Sequence, residues 1–352
     1  MRYPILAILA VLVFLPGLSR ASGMDDYLGS ECKGNYVWGG AMNLAWDELN
    51  GNILHEKLKL NTNDKRALAM VDKLNRSQFT KNDLDEKSYY VKSGFGQETV
   101  DIINRESRSK FPTKSFKDLT VKLGPNDIIA YAYFLKEVEY LTPFKETSAM
   151  FTNNRVKGFY AYDAPQHQNV RVLTYVNDDR FIIGLKLKGD KDELFLAKGF
   201  DMKSPQEIVN EISKYNSDNL PSISSREPFT MPKLHLQHNR DYKELTNKFL
   251  ANNGFKAYYI SKMYENIKFD MDNKGARVEN EAVITGRGGG ARKPQITRRF
   301  IMDKPFWVVM KRKDSQRPYF LLGVKNTELM EKSSKSEQAG GGPQLRHNSN
   351  NT

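Results

Sequence analysis

The architecture is written most plainly in Phe300-Ile301-Met302-Asp303-Lys304-Pro305-Phe306-Trp307-Val308-Val309-Met310. Two apolar segments flank a turn made of charge and proline. Asp303 and Lys304 favour water, and Pro305 has no backbone N–H to give to a ladder, so one strand ends there and another begins. Phe306 to Met310 carries no polar residue, the pattern of a strand covered on both faces. Tyr319-Phe320-Leu321-Leu322-Gly323-Val324 is a second such run. The two read as a closing strand pair, with Lys311-Arg312-Lys313 exposed in the hairpin turn between them.

Upstream, the same type of run recurs. Ile128 to Phe134 is continuously apolar and reads as a strand buried on both faces. Val156 to Tyr162, Val170 to Val176, Phe181 to Leu187 and Leu194 to Ala197 are short β-type segments, separated by turns such as Asn177-Asp178-Asp179 and Lys188-Gly189-Asp190. Phe229 to Leu236 and Met263 to Met271 read as strands. Helical spacing shows in Met42, Leu44, Ala45, Trp46 and Leu49, around Glu98 to Phe111, and in Ser204 to Tyr215 with its serine cap. Tyr242 to Asn253 reads as a helix ended by Gly254. Asn61 to Pro112 is otherwise charged and weakly periodic. Helices in the first third and strands through the rest give one α+β domain.

The ends differ from this body. Arg2, the apolar run Ile5 to Leu15, Pro16-Gly17 and the small residues Ala21 and Gly23 have the form of a secretory signal over residues 1–23. The run is too short to span a bilayer comfortably, so cleavage is expected. Residues 331–352 are polar, rich in Gly and Ser and without periodicity, the composition of a disordered tail. The folded domain is thus residues 24–330. Asn75-Arg76-Ser77 and Asn350-Asn351-Thr352 have glycosylation spacing. In an exported protein the single cysteine, Cys32, is either a buried thiol or a disulfide to another chain. One cysteine excludes an internal disulfide framework and a multi-cysteine zinc site. A mean hydropathy of -0.62 excludes a polytopic membrane protein.

With these runs in order, the chain resembles the serpin family. Phe300 to Met310 resembles the signature in which an apolar strand runs into Asn/Asp, a basic residue, Pro and Phe and then a buried strand; Trp307 is bulkier than the aliphatic usual there. Tyr319 to Val324 resembles the last strand. Ala130 to Phe144 resembles a central-sheet strand and its continuation, with Tyr131 near a usual Asn and Tyr140 replacing a Trp. Phe229 to Leu234 and Phe269 to Ala276 resemble the strands before and into the reactive loop. The resemblance covers roughly residues 114–330. It implies a large central β-sheet with further sheets, a helical N-terminal part and an exposed reactive-centre loop.

What the resemblance implies for function is inhibition by suicide. A protease cuts the loop, and the loop's first half inserts into the central sheet as a new strand. The implied loop is residues 275–299, with its hinge at Gly275, Ala276 and Val278. Ala276, Val278, Asn280, Ala282 and Ile284 form one alternating face, apolar except for Asn280. Asn273 stands where the family has Glu, and the usual run of small hinge residues is absent. Counting forward as the family does puts the scissile position near Gly289, which gives a protease no side chain to recognise. Arg287 and Arg292 on either side suit the carboxylate pocket of a trypsin-like serine protease.

Charge offers a second reading. Removing Arg2 and Arg20 takes the net charge from +12 to +10, and residues 287–317 hold ten Lys/Arg against Asp303 and Asp314. Arg298, Arg299, Lys311, Arg312 and Lys313 form a candidate site for a sulfated polysaccharide, bound by counterion release. Two classes stay open: a secreted, extracellular protease inhibitor, and a non-inhibitory binding protein of the same fold. Both are monomers and neither is an enzyme. No nucleic acid is expected for an exported chain, and no membrane contact after signal cleavage. No cofactor or metal is implied: His235 and His238 would point to opposite faces of a strand.

Overall fold

Phe306 to Met310 lie inside the protein, with Trp307 and Val308 wholly buried, as a run without polar residues requires. The structure is a computed structural model, and it describes residues 27–189, 191–215, 219–276 and 298–333. The first described elements are β1 (Ser30–Cys32), β2 (Asn35–Gly39) and α1 (Ala41–Glu48), then a π-helical turn, Leu49–Leu54. β3 (Leu60–Asn61), α2 (Lys65–Arg76), β4 (Tyr89–Phe95) and α3 (Gly96–Lys110) follow. Next come β5 (Ile128–Phe134), β6 (Val138–Glu139), β7 (Lys145–Phe151), β8 (Asn154–Tyr160) and the short α4 (Ala164–Gln168). β9 (Val170–Asn177), β10 (Arg180–Leu185), β11 (Asp192–Lys198) and α5 (Gln206–Ile212) lead to β12 (Phe229–Pro232) and β13 (Leu234–Asp241). β14 (Phe249–Leu250), β15 (Tyr264–Met271), β16 (Gly275–Ala276), β17 (Phe300–Ile301), β18 (Phe306–Arg312) and β19 (Pro318–Val324) complete the order.

Among the described residues the largest sheet has seven strands in the order β1-β2-β19-β18-β11-β10-β9, all antiparallel. The closing pair expected from sequence, β18 and β19, lies at its centre. Four strands, β17-β12-β8-β7, form a second sheet, with β17 parallel to β12. One continuous apolar core fills the space around these sheets, and a smaller one gathers Trp46, Leu58, Leu74, Tyr242 and Leu250. Trp38 and Trp46 are both core residues, each 3 % exposed.

The structure departs from the sequence-based expectations in several places, each for a physical reason. Tyr242 to Asn253 is not a helix. The Asn247 and Leu250 amides pair with the carbonyls of Ile260 and Tyr258, so the backbone hydrogen bonds a helix needs are already spent across a turn. Phe229 to Leu236 is two strands in different sheets. They divide at Lys233, whose amide turns to the carbonyl of Lys157, after Pro232, which has no N–H to offer. Ile128 to Phe134 is a strand, but of its residues only Tyr133 is buried, because among the described residues β5 pairs with β4 alone. Asn61 to Pro112, weakly periodic by eye, contains α2. Asp64 caps it by accepting from the Arg66 and Ala67 amides, and Ala67, Met70, Val71 and Leu74 form its inner face.

Candidate functional site

The strands next to the implied loop do not join into one sheet. β13 and β15 form one two-stranded ladder, Leu234↔Met271 through Asp241↔Tyr264, and β4 and β5 form another. Among the described residues β5 and β15 are therefore each laddered along one edge. Residues 111–119 cross both. Phe116 packs edge-on to Tyr133 of β5, and Lys268 of β15 reaches Ser115 Oγ at 3.4 Å.

The two ladders are stitched together at one end by a small junction. β16 pairs with β6, Gly275 against Glu139 and Ala276 against Val138. The Tyr140 amide donates to the Lys274 carbonyl at 2.9 Å and the Phe144 amide to the Asn273 carbonyl at 2.7 Å. Asp272 shapes the approach, its Oδ1 accepting from the Lys274 amide at 2.8 Å. Asn273 donates to the Phe144 carbonyl through Nδ2. Lys136, between β5 and β6, forms a largely buried ion pair with Asp192 at 2.9 Å.

Gly275 has no alternative at this junction. A Cβ there would stand 2.2 Å from the Val138 carbonyl oxygen and 2.8 Å from Glu139 Cα, both backbone atoms that cannot swing aside. Gly275→Ala is expected to push β16 off β6. The cost is about 1–3 kcal/mol, with faster hydrogen exchange at the Tyr140 amide. An unchanged urea midpoint and unchanged protection would remove this role from Gly275.

Ala276 is buried at 3 % exposure and ends the described part of the hinge. Val278, Arg287, Gly289 and Arg292 lie outside the described residues, as do residues 1–23 and 334–352. The chain is described again from Arg298, whose guanidinium meets Glu227. The Arg299 amide donates to Asp178 Oδ1 at 3.1 Å, and its side chain is exposed. The end of the implied loop is thereby fixed to the second sheet at β17.

The basic residues beyond it are not the open patch that their clustering in sequence suggests. Lys311 was expected in an exposed turn, yet it is the penultimate residue of β18 and 9 % exposed. Its ammonium is bound to Glu193, its register partner on β11, and to the Ser315 carbonyl. Arg312 pairs with Asp314 and donates to the Leu84 carbonyl at 2.9 Å. Lys304 pairs with Asp179 at 2.7 Å. Lys313 does lie in the turn, in an open cleft with Asp85, Glu86, Lys191, Arg312 and Asp314, where acids match bases in number. Glu193, Glu227 and Asp179 lie far from their partners in sequence, where no local count of charge finds them, whereas Asp314 is two residues from Arg312.

Other sequence-based candidates resolve simply. Cys32 is a buried free thiol, and burial pushes its pKa above the ordinary value. Asn75 is tied down: its Nδ2 donates to the Leu58 carbonyl, and its Oδ1 accepts from Trp46 Nε1. His235 and His238 take separate partners, Asp270 and Ser30. Among the described residues no group of His, Cys, Asp and Glu could hold a metal, and no helix is long and apolar enough to cross a membrane.

No protein-family model matches the sequence, and no curated protein matches it. Solved structures do match. Serpin48, a highly specific serpin of the insect Tenebrio molitor, is 15 % identical at a TM-score of 0.47, over 82 % of this chain and 91 % of that one. Tengpin, a thermophilic serpin in its native state, is 14 % identical at 0.49, over 84 % and 90 %. The mouse protein-Z dependent protease inhibitor, also a serpin, is 12 % identical at 0.50, over 83 % and 91 %. The chain has the serpin fold. Within that serpin-like fold, the α+β class and the large antiparallel sheet are as expected from sequence. The strands flanking the implied loop, by contrast, stand as two separate pairs.

Proposed function

We propose that this is a secreted serpin-type inhibitor of a trypsin-like serine protease, cleaved near Arg287 or Arg292. The loop's first part would then insert between β5 and β15. One observation carries the reading: among the described residues β5 and β15 are each laddered on one edge only, and their chains are joined through the β6–β16 pair, where the implied loop departs. Strand edges with unmet N–H and C=O groups gain free energy from an added strand, and a loop's own alternating face supplies one at high effective concentration. Ala276, Val278, Asn280, Ala282 and Ile284 would face inward on such a strand, Asn280 at a cost of about 1–3 kcal/mol if its amide stays unpaired. An arginine on either side of Gly289 offers the charge that a carboxylate-based specificity pocket selects. The sulfated-polysaccharide reading draws less support, because Arg298, Lys311 and Arg312 are held by Glu227, Glu193 and Asp314.

Trypsin provides the test. Inhibition gives a complex that survives SDS, while cleavage in the loop raises the melting temperature. A strand of about eight residues, with hydrogen bonds worth about 0.5–1.5 kcal/mol each, adds several kcal/mol. At about 2–4 °C per kcal/mol in a domain of this size, the rise is roughly 10 °C or more. Clean cleavage near Arg287 or Arg292 with no complex and no rise would sink the inhibitor reading and leave a non-inhibitory binding protein.

A further inference from the structure

β15 alternates strictly. Tyr264, Asn266 and Lys268 face outward, and Glu265, Ile267, Phe269 and Met271 face inward. A glutamate among three large apolar residues breaks the pattern, since an inward carboxylate must find a cation or neutralise. Its register partner on β13 is Arg240, but that guanidinium is engaged elsewhere. Arg240 Nη1 donates to the carbonyls of Leu28 and Gly29, both at 2.9 Å, and the group stacks over the Tyr242 ring at 4.2 Å. Glu265 is left with the Tyr242 hydroxyl, 3.1 Å from Oε2, and the Met42 amide at the start of α1. Its Oε1 has no hydrogen-bond partner among the described residues and faces Gly39 of β2, where a Cβ would stand 3.7 Å away.

We propose that Glu265 is a proton switch that sets how firmly the β13–β15 ladder is seated on the body: firmly when neutral, loosely when ionised. The surroundings supply little to hold a charge. β13 presents Arg240, with His238 beyond it bonded to Ser30 Oγ. Tyr242 follows β13, β2 presents Gly39, and α1 presents a backbone amide. His238 is itself held toward its neutral form by burial and by Arg240. Burial pushes the Glu265 carboxyl from its ordinary 4.5 up to about 7, against smaller opposing effects of Tyr242, Arg240 and Met42. The folded state thus holds this proton more tightly than the unfolded chain does. The seating is complete below about pH 4.5 and is lost as pH rises through about 7.

The consequence reaches the candidate site, because β15 runs through residues 272–274 into β16. On the loop-insertion reading, which this step assumes, loosening β15 eases its separation from β5, so insertion is faster at pH 8 than at pH 6.

The test measures two things on the whole protein between pH 5.5 and 8.5. Amide exchange in β13 and β15, corrected for the intrinsic pH dependence, reports the seating. The rise in melting temperature after loop cleavage reports insertion. In the wild type, protection of β15 should fall by up to tenfold per pH unit as pH rises toward 7, as loss of one proton on opening requires, and level off above it, with the midpoint of that levelling near pH 7. Glu265→Gln should be flat across the range. Tyr242→Phe, which removes the one side-chain hydrogen bond to the carboxylate, should move the midpoint to higher pH. Coincident profiles for wild type and Glu265→Gln overturn the switch. Should that variant not fold, an unmoved midpoint in Tyr242→Phe overturns it. A pH-dependent seating with no insertion at any pH keeps the switch and refutes the loop reading, and pH-independent seating with insertion does the reverse.

Discussion

Replacing Lys198 with methionine is expected to destabilise the protein by about 3 kcal/mol and to free the end of the implied loop. Lys198 closes β11 and is only 2 % exposed. Its ammonium sits among the carbonyls of Asp178 and Ile301, at 2.8 and 3.0 Å, and the carboxylates of Asp303 and Asp179, at 2.6 and 3.1 Å. Methionine keeps the apolar stem but leaves those acceptors facing a thioether. A buried acceptor left unmet costs about 1–3 kcal/mol. The two carboxylates add little, because their side chains are 41 % and 56 % exposed and water takes over. Ile301 belongs to β17, so the strand that anchors the chain after the implied loop loses its tether to the large sheet. Urea denaturation and exchange at the Phe300 and Met302 amides would show both effects. A midpoint within 0.5 kcal/mol of wild type would mean that the cluster merely accompanies the fold.

Trp307→Ala is expected to cost more, about 3–5 kcal/mol, the range for deleting a buried aromatic ring. Trp307 is wholly buried in the central strand of the seven-stranded sheet. Its bulk is matched from both sides: its register partners are Ala197 on β11 and Gly323 on β19. A Cβ on Gly323 would already stand 3.0 Å from the indole. The ring packs edge-on to Tyr36 at 5.2 Å, and its Nε1 donates to the Asp201 carbonyl at 3.0 Å. Truncation therefore empties a volume that alanine and glycine cannot fill and orphans a carbonyl. In Trp307→Ala, adding Gly323→Ala should cost less than it does in the wild type. Strict additivity in that double-mutant cycle would show that the indole and Gly323 are not packed as a pair.

The elements legible in sequence are those whose signal is local. Phe306 to Met310 and Tyr319 to Val324 declare themselves by uninterrupted apolarity, and β9, β10 and β11 by the charged turns that bound them. Trp307 could be seen to depart from the serpin pattern, but its compensation by Gly323 could not, because that pairing exists only across a ladder. α2 was hidden among charges because its exposed face carries most of them. The stretch 242–253 imitated a helix, since Tyr242, Leu245 and Leu250 are buried for reasons unrelated to a 3.6-residue period.

Sequence alone determined β9, β10, β11, β18 and β19, the α+β class and the resemblance to serpins, because burial on both faces, proline and turn chemistry act over a few neighbouring residues. Tertiary structure alone decided three matters. It made the basic C-terminal cluster largely self-neutralised, because Glu193 arrives through register from β11 and Glu227 through packing from the bend before β12. It divided the strands beside the implied loop into two ladders joined at Gly275 and Ala276. It also left Glu265 buried across from an arginine whose hydrogen bonds go to the backbone of Leu28 and Gly29. Charge compensation, strand pairing and desolvation all depend on which residues meet in space, and that is set by the whole chain closing on itself.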